Sequence, residues 1–266
     1  MNALRSAALR RGILGIACFV ALWELGTNFD AWFGPTVPIV GKLPAPTEVA
    51  SSFGHLLGVA GYWESWKESF TRVGWAFLAA LVLGIPFGLL LATGRRTKAL
   101  LFAPFEMLRP IPPLAWVPLA ILFWPTENLS IEFVIFLGAF YPIVLNIVGG
   151  AEQIDRRYVL AARSMGASRW TVFRRVILPA TLPSIATGAV VGIGITWEVV
   201  VAAELISGGG QAEGGGGLGF LLWNSYQGNE IPAVIVCMIS LGVAGYLSSI
   251  AIRLISNRLM PWRQPA

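Results

Sequence analysis

Apolar residues along this chain come in long blocks, not in the alternation of a half-buried strand or the narrow stripe of a surface helix. Six charge-free runs stand out as candidate spans: Gly12–Trp23, Val73–Gly94, Pro110–Thr126, Phe133–Ala151, Val176–Trp197 and Ile231–Ile252. They are 12, 22, 17, 19, 22 and 22 residues long. A helix crossing a hydrocarbon core of ~30 Å needs about 20 mostly apolar residues. Four runs meet that length alone. The first meets it if the helix continues past Glu24 to Phe29, and the third if it starts near Leu100 and carries Glu106 and Arg109. The pattern predicts an all-α polytopic membrane protein with about six transmembrane helices.

Composition agrees. Of 266 residues, 56% are hydrophobic and only 12% charged, whereas a soluble domain carries about 25% charge. The mean hydropathy of +0.70 excludes disorder, which needs low hydrophobicity and high net charge. Cys18 and Cys237 fall inside apolar runs far apart and read as packing thiols. His55 is the only histidine and there is no Cys-x-x-Cys pair, so neither a zinc site nor any other cofactor is expected. Arg5, Arg10 and Arg11 before an apolar stretch have the form of a signal peptide. The apolar residues continue through Trp23 with no small-x-small site after them, so a retained first span is expected.

The net charge of +5 is distributed in a way that points to membrane orientation, not to nucleic acid. With six spans and the N-terminus inside, fifteen of the nineteen Lys and Arg residues lie in inner segments. Eight of the fourteen acids lie outside: Asp30, Glu48, Glu64, Glu68, Glu127, Glu132, Glu213 and Glu230. Both termini are therefore expected in the cytoplasm. The chain is expected to form one transmembrane domain over 1–266. Residues 1–69 hold the first span and an outer segment; residues 70–260 hold the core and a loop at 151–179. In the outer segment, roughly 30–70, Pro46 marks a helix start with Thr47 as a possible cap. Val49, Phe53, Leu56 and Leu57 give that helix an apolar stripe.

Glu152–Arg175 carries six arginines and two acids in 24 residues. Two short helices are readable. One spans about 155–165 and ends at Gly166, a natural C-terminal cap. The next starts with Ser168 as N-cap and ends before Pro179. Leu160, Ala161 and Met165 share one side of the first; Trp170, Phe173 and Ile177 line one side of the second. Apolar residues framed by arginine suit either anionic lipid headgroups or a docked cytoplasmic protein.

The spacing of Ala161-Ala162, Gly166, Val176 and Leu178-Pro179 resembles the EAA loop of ABC importer permeases: Glu-Ala-Ala, three residues, Gly, nine residues, an aliphatic residue, one residue, Leu-Pro. Leu160 stands at the Glu position, so the charge of that motif is absent here. Further stretches resemble the nitrate/sulfonate/taurine/bicarbonate branch of these permeases. They are Leu43–Val49, Leu108–Ala120, Leu137–Pro142 and Val201–Leu205, and the likeness covers about 40–260. The resemblance implies a second copy of the chain, two ATPase subunits beneath, a periplasmic or extracellular substrate-binding protein, and residence in a bacterial inner (plasma) membrane. It makes the loop a coupling helix, with Leu160, Ala161, Ala162, Arg163, Gly166, Ala167, Ser168, Arg169 and Trp170 as the ATPase-coupling residues. None of Lys42, Lys67 and Lys98 follows a Gly-x-x-x-x-Gly frame. The chain thus has no P-loop of its own and is not expected to be an enzyme.

Ionisable residues at membrane depth are costly and are functional candidates by default. They are Glu24, Glu106, Arg109, Glu198 and Glu204. Glu106 and Arg109, three apart, share a helix face. Pro110, Pro112 and Pro113 follow directly and break the helix, which membranes tolerate where backbone is buried or lines a polar cavity. This predicts a break in a pathway wall, or simply a pair that neutralises itself at the surface. Gly188, Gly192 and Gly194 permit close helix approach, and the resemblance makes this fifth span pathway-lining. A bare carboxylate repels anions, so Glu198 and Glu204 are expected to hold a gate by hydrogen bonds or to pair with Arg109. Asn146, Thr196 and Trp197 are the candidates for contact with solute. Ser207–Gly219 holds eight glycines in thirteen residues and reads as flexible. Leu218, Phe220, Leu221, Trp223 and Tyr226 read as an apolar outer turn.

The leading expectation is a permease subunit for a small anion of the nitrate, bicarbonate, taurine or alkyl sulfonate class. A stand-alone secondary transporter or channel is the alternative, and it leaves the structured loop unexplained. A membrane-embedded hydrolase lacks a base–nucleophile pair.

Overall fold

The computed structural model describes residues 2–33, 43–206 and 216–262, with the side chains of α1 from Arg10 to Asn28. Among the described residues every regular element is helical. The helices are α1 (Asn2–Phe33), α2 (Pro46–Leu57), α3 (Ala60–Thr93), α4 (Arg95–Leu108), α5 (Val117–Phe123), α6 (Glu127–Glu152), α7 (Arg156–Ser164), α8 (Arg169–Val172), α9 (Leu178–Ile206), α10 (Leu218–Gln227) and α11 (Ile231–Leu259). Among the described residues four helical stretches are long and apolar enough, by length and composition, to cross a membrane: Ala60–Thr93, Glu127–Glu152, Arg169–Ile206 and Ile231–Leu259. At 32 residues, α1 exceeds the length a span needs, and Ile13, Leu14, Ile16, Phe19 and Leu22 are exposed on it.

The structure refines or departs from the sequence reading at three places. First, the third span is two helices, broken where Pro110, Pro112 and Pro113 are expected to break it. After α4 the chain turns at Arg109–Pro112, forms a 3-10 turn at Pro113–Trp116 and restarts as the short α5. Prolines remove amide donors and bias the preceding residue away from helix, which accounts for the break. Second, α3 starts at Ala60, so residues 60–72, up to the start of the second apolar run, are already helical. Glu64, Lys67, Glu68 and Arg72 had ended the charge-free run without ending the helix. Third, Pro179 does not terminate the segment after Ser168. A π-helical turn at Phe173–Ile177, with Leu178 N–H donating to Phe173 O, carries α8 directly into α9. A wider turn absorbs the donor missing at Pro179 and the crowding of its ring against the preceding turn.

The chain divides into two compact units, Met1–Trp63 with Leu221–Ile239, and Glu64–Phe220 with Ser240–Ala266. In the first, α2 begins after Ala45, whose N–H donates to Glu48 Oε2 at 3.3 Å. Thr47 is not the cap: its N–H and Oγ1 both donate to the Glu24 carboxylate, at 3.2 and 3.1 Å. Glu24 at membrane depth is thus satisfied within its own unit.

The second unit is built on α6. Gly84 and Gly88 of α3 lie against Ile143 and Ile147, where a Cβ at Gly88 would stand 3.0 Å from Ile147 Cβ. Gly188 and Gly192 of α9 lie against Ile143, Asn146 and Ala139, with only 3.0 Å from a Gly188 Cβ to Asn146 Cβ. Two small-residue faces thus let α3 and α9 close onto α6, and the side chains of Ile143 and Ile147 fill the space the glycines leave. Gly194 meets nothing. The glycine spacing of the fifth span therefore serves packing inside the chain. Leu91, Phe105, Val144 and Val148 form a cluster that seats α4 on α3 and α6.

Candidate functional site

The arginine-rich loop folds as its sequence dictates. Asp155 Oδ1 accepts from Arg157 N–H at 2.8 Å and opens α7. The helix closes on a six-to-one bond from Ala167 N–H to Ala162 O at 3.0 Å, with Gly166 N–H donating to Arg163 O at 2.9 Å. Gly166 has φ +81°, and this left-handed Schellman turn favours glycine. Ser168 Oγ then accepts from Thr171 N–H at 3.2 Å and starts α8. Trp170 stacks on Phe173 at 5.4 Å between ring centroids. Two tight caps two residues apart fix the angle between α7 and α8. Ala162 and Val172 are buried, whereas Leu160 is 61% exposed, Met165 81% and Trp170 66%. Arg163 and Arg169 are exposed beside them, with no carboxylate partner among the described residues. Lys98 of α4 and Glu152 pair at the base of the loop. The outcome is a doubly capped knob that exposes apolar and basic side chains.

The charged groups of the spans have a different character. Arg72 is 1% exposed and Glu204 0%. Arg72 Nη1 donates to Glu204 Oε1 at 2.9 Å. Ser69 Oγ donates to the same carboxylate at 2.8 Å, and Gly219 N–H donates to Oε2 at 2.9 Å. Leu218 N–H donates to Ser69 Oγ at 2.9 Å, and Arg72 Nε to Asn128 Oδ1 at 3.0 Å. The end of α9, one face of α3 and the first residues of α10 thus meet on one carboxylate. A Cβ at Gly217 would strike that carboxylate, and one at Gly219 would stand 2.6 Å from Val201 O. These two glycines are there for close approach rather than flexibility. Residues 207–215 of the glycine-rich stretch lie outside the described residues.

Several expected site residues take other places. Glu204 pairs with Arg72 and not with Arg109. Arg109 pairs instead with Glu106, at 3.5 Å, and both are exposed at the end of α4 beside the Pro110–Pro113 break. Thr196 is buried and its Oγ1 donates to Ile193 O at 2.6 Å. Trp197 is buried with Nε1 donating to Ser248 Oγ at 3.1 Å, its ring edge-on to Phe70 at 4.9 Å. The polar atoms of both side chains are therefore bonded inside the chain. Asn146 is half-buried and donates to Pro142 O at 2.8 Å. Glu198 is exposed, in line with Thr187, Val191 and Gly194 on one face of α9. Sequence reasoning missed Arg72, Ser69 and Asn128. The available signal was Ser69 and Arg72, three apart, at the edge of an apolar run.

Residues 84–261 match the family described as binding-protein-dependent transport system inner membrane component. A putative ABC transporter permease protein of Methanocaldococcus jannaschii is 36% identical over 80% of this chain and 78% of its own length. The nitrate import permease protein NrtB of Synechocystis sp. is 36% identical over 74% of this chain and 69% of its own length. The taurine transport system permease protein TauC of Escherichia coli is 30% identical over 87% and 84%. Among solved structures, an inward-facing form of the MetNI methionine ABC transporter superposes with TM-score 0.60 at 24% identity, covering 76% of this chain and 95% of that one. A bacterial ABC transporter involved in the import of the acidic polysaccharide alginate superposes with TM-score 0.61 at 14% identity, covering 97% and 99%. Both likenesses show the fold alone. The chain belongs to the inner-membrane permease components of binding-protein-dependent ABC importers, in the branch with named nitrate, bicarbonate and taurine permeases.

Proposed function

We propose that this chain is the permease half of an ATP-driven importer, and that α7, the Gly166 turn and α8 are the surface on which a separate ATPase subunit docks. The observation that carries this reading is the exposure of Leu160, Met165 and Trp170 on a turn made rigid by two caps. Large apolar side chains with arginine at the edge are the residue types enriched at protein interfaces. The distribution of Lys and Arg supports a topology with this loop and both termini on the cytoplasmic side of a bacterial inner membrane. Two copies of the chain form the pathway, with two ATPases beneath and a binding protein outside. The exposed face Thr187–Val191–Gly194–Glu198 is turned to the second copy, since a mid-span carboxylate exposed on the monomer needs a polar cavity or a partner. The solute is a small anion of the nitrate, bicarbonate, taurine or alkyl sulfonate class.

The test is ATP hydrolysis by the purified assembly in nanodiscs with its binding protein. Met165→Asp is expected to abolish stimulated hydrolysis and to leave the melting temperature of the chain unchanged. Solute uptake into vesicles by the chain alone, without ATP, would establish the stand-alone transporter instead.

A further inference from the structure

Behind the docking knob lies a crevice of about 770 Å³, within the ~300–1,000 Å³ of small-ligand sites. Its walls are apolar: Leu89 and Leu90 from the last turns of α3, and Phe173 and Ile177 from the π-helical turn. Its charged lining residues are Arg163 and Arg169. Arg72, Lys98, Arg109 and Arg157 each have a carboxylate partner; Arg163 and Arg169 have none among the described residues. Thr93, also in the lining, has its hydroxyl turned back to Leu89 O at 2.8 Å.

This chemistry selects the occupant. A peptide segment would bring backbone N–H and C=O groups against walls that offer them no partner, which is costly. A free inorganic anion would use the arginines and leave the apolar walls against water. A molecule with an anionic head and a hydrocarbon tail satisfies both parts. The crevice lies where α3 ends and Arg95 and Arg96 follow, which is the boundary between hydrocarbon and headgroups in this topology. Leu83, Pro86 and Leu90 are exposed at i, i+3 and i+7 on α3, a lipid-facing stripe that leads into it. Basic pockets between membrane helices on the cytoplasmic side bind anionic headgroups, and guanidinium matches phosphate with paired donors.

We propose that this crevice is a binding site for one anionic phospholipid of the arginine-rich leaflet. Its phosphate lies on Arg163 and Arg169, and one acyl chain lies against Leu89, Leu90, Phe173 and Ile177. Val159 and Arg163, one turn apart on α7, line the crevice, whereas Leu160 and Met165 do not. Trp170, Arg163 and Arg169 line the crevice as well as the docking surface, so lipid and ATPase meet at these residues; the site rests on the crevice's own lining and does not depend on the ATPase reading.

The experiment is native mass spectrometry of the full-length chain purified in detergent and titrated with dioleoylphosphatidylglycerol or dioleoylphosphatidylcholine. The anionic phosphatidylglycerol is expected to bind about thirtyfold more tightly than the zwitterionic phosphatidylcholine, from two arginines at the juxtamembrane interface. R163Q/R169Q is expected to bring the two lipids to parity, R163K/R169K to keep most of the preference, and R156Q/R157Q on the same helix to keep all of it. Leu90→Trp, which fills the crevice, is expected to lower retention of both lipids. Equal affinity of the wild type for the two lipids would overturn the site, as would a preference that survives R163Q/R169Q. Displacement of the phosphatidylglycerol by excess inorganic phosphate would make it a site for free anions, which also overturns the proposal.

Discussion

The two charged regions of this chain obey opposite rules. In the cluster around Glu204 each charge meets its partner inside the protein. Arg72, Ser69 and Gly219 all donate to one carboxylate, and Arg72 Nε is taken up by Asn128. In the loop around Gly166 the backbone is satisfied, cap by cap, while the arginines and the apolar residues between them are left to solvent. A charge neutralised at 0–1% exposure holds the structure together and has nothing left to offer a solute. A charge left unpaired on a rigid turn is available to another molecule. Burial and satisfaction, more than residue type, separate structural from functional charge here.

The comparison can be broken at several points. The largest effect is expected at Glu204→Ala or Arg72→Ala. Each leaves an uncompensated buried charge, which costs about 3–5 kcal/mol, read as a lowered melting temperature of the purified chain. Arg72→Met with Glu204→Leu is expected to recover most of that loss, because an apolar pair of similar size removes both desolvation penalties. No recovery in the double variant would mean the ion pair is more than a packing device. Gly217→Ala is expected to lose about 1–3 kcal/mol by forcing the carboxylate aside, measured the same way. Gly166→Ala is expected to cost about 1–2 kcal/mol from its left-handed backbone. It also sharpens the comparison, since it disturbs α7–α8 without touching a charge. Trp170→Ala is expected to fall within about 0.5 kcal/mol of the wild type in stability, yet to lose ATPase binding in co-purification.

The sequence was most legible where the physics is local. Gly166 and Ser168 announced both caps of the loop, because a left-handed turn and an N-cap hydroxyl depend on neighbours within five residues. The apolar blocks of α6 and α11 located those helices because a membrane span is a statement about composition. What stayed hidden was long-range. Glu204 finds Arg72 across 132 residues of chain, and the proline-rich stretch near Arg109 suggested the wrong partner. Gly188 and Gly192 suggested a helix–helix contact correctly, but not that the contact is with α6 of the same chain. Thr196 and Trp197 were selected as polar residues in a span. Spacing along the helix could not show that their polar atoms are bonded to Ile193 and Ser248. At Pro179 the rule for proline in helices met a π-helical turn that accommodates it.

The α7–α8 knob is the proposed place where an ATPase binds. The most direct measurement is the ratio of ATPase to permease in a gentle purification of the tagged chain, as wild type and as Met165→Asp, with the melting temperature of each. About one ATPase per copy of the wild-type chain is expected, and none with Met165→Asp, at unchanged melting temperature. An ATPase that still accompanies Met165→Asp in the same ratio, or a wild-type chain that purifies without one, would contradict that docking site.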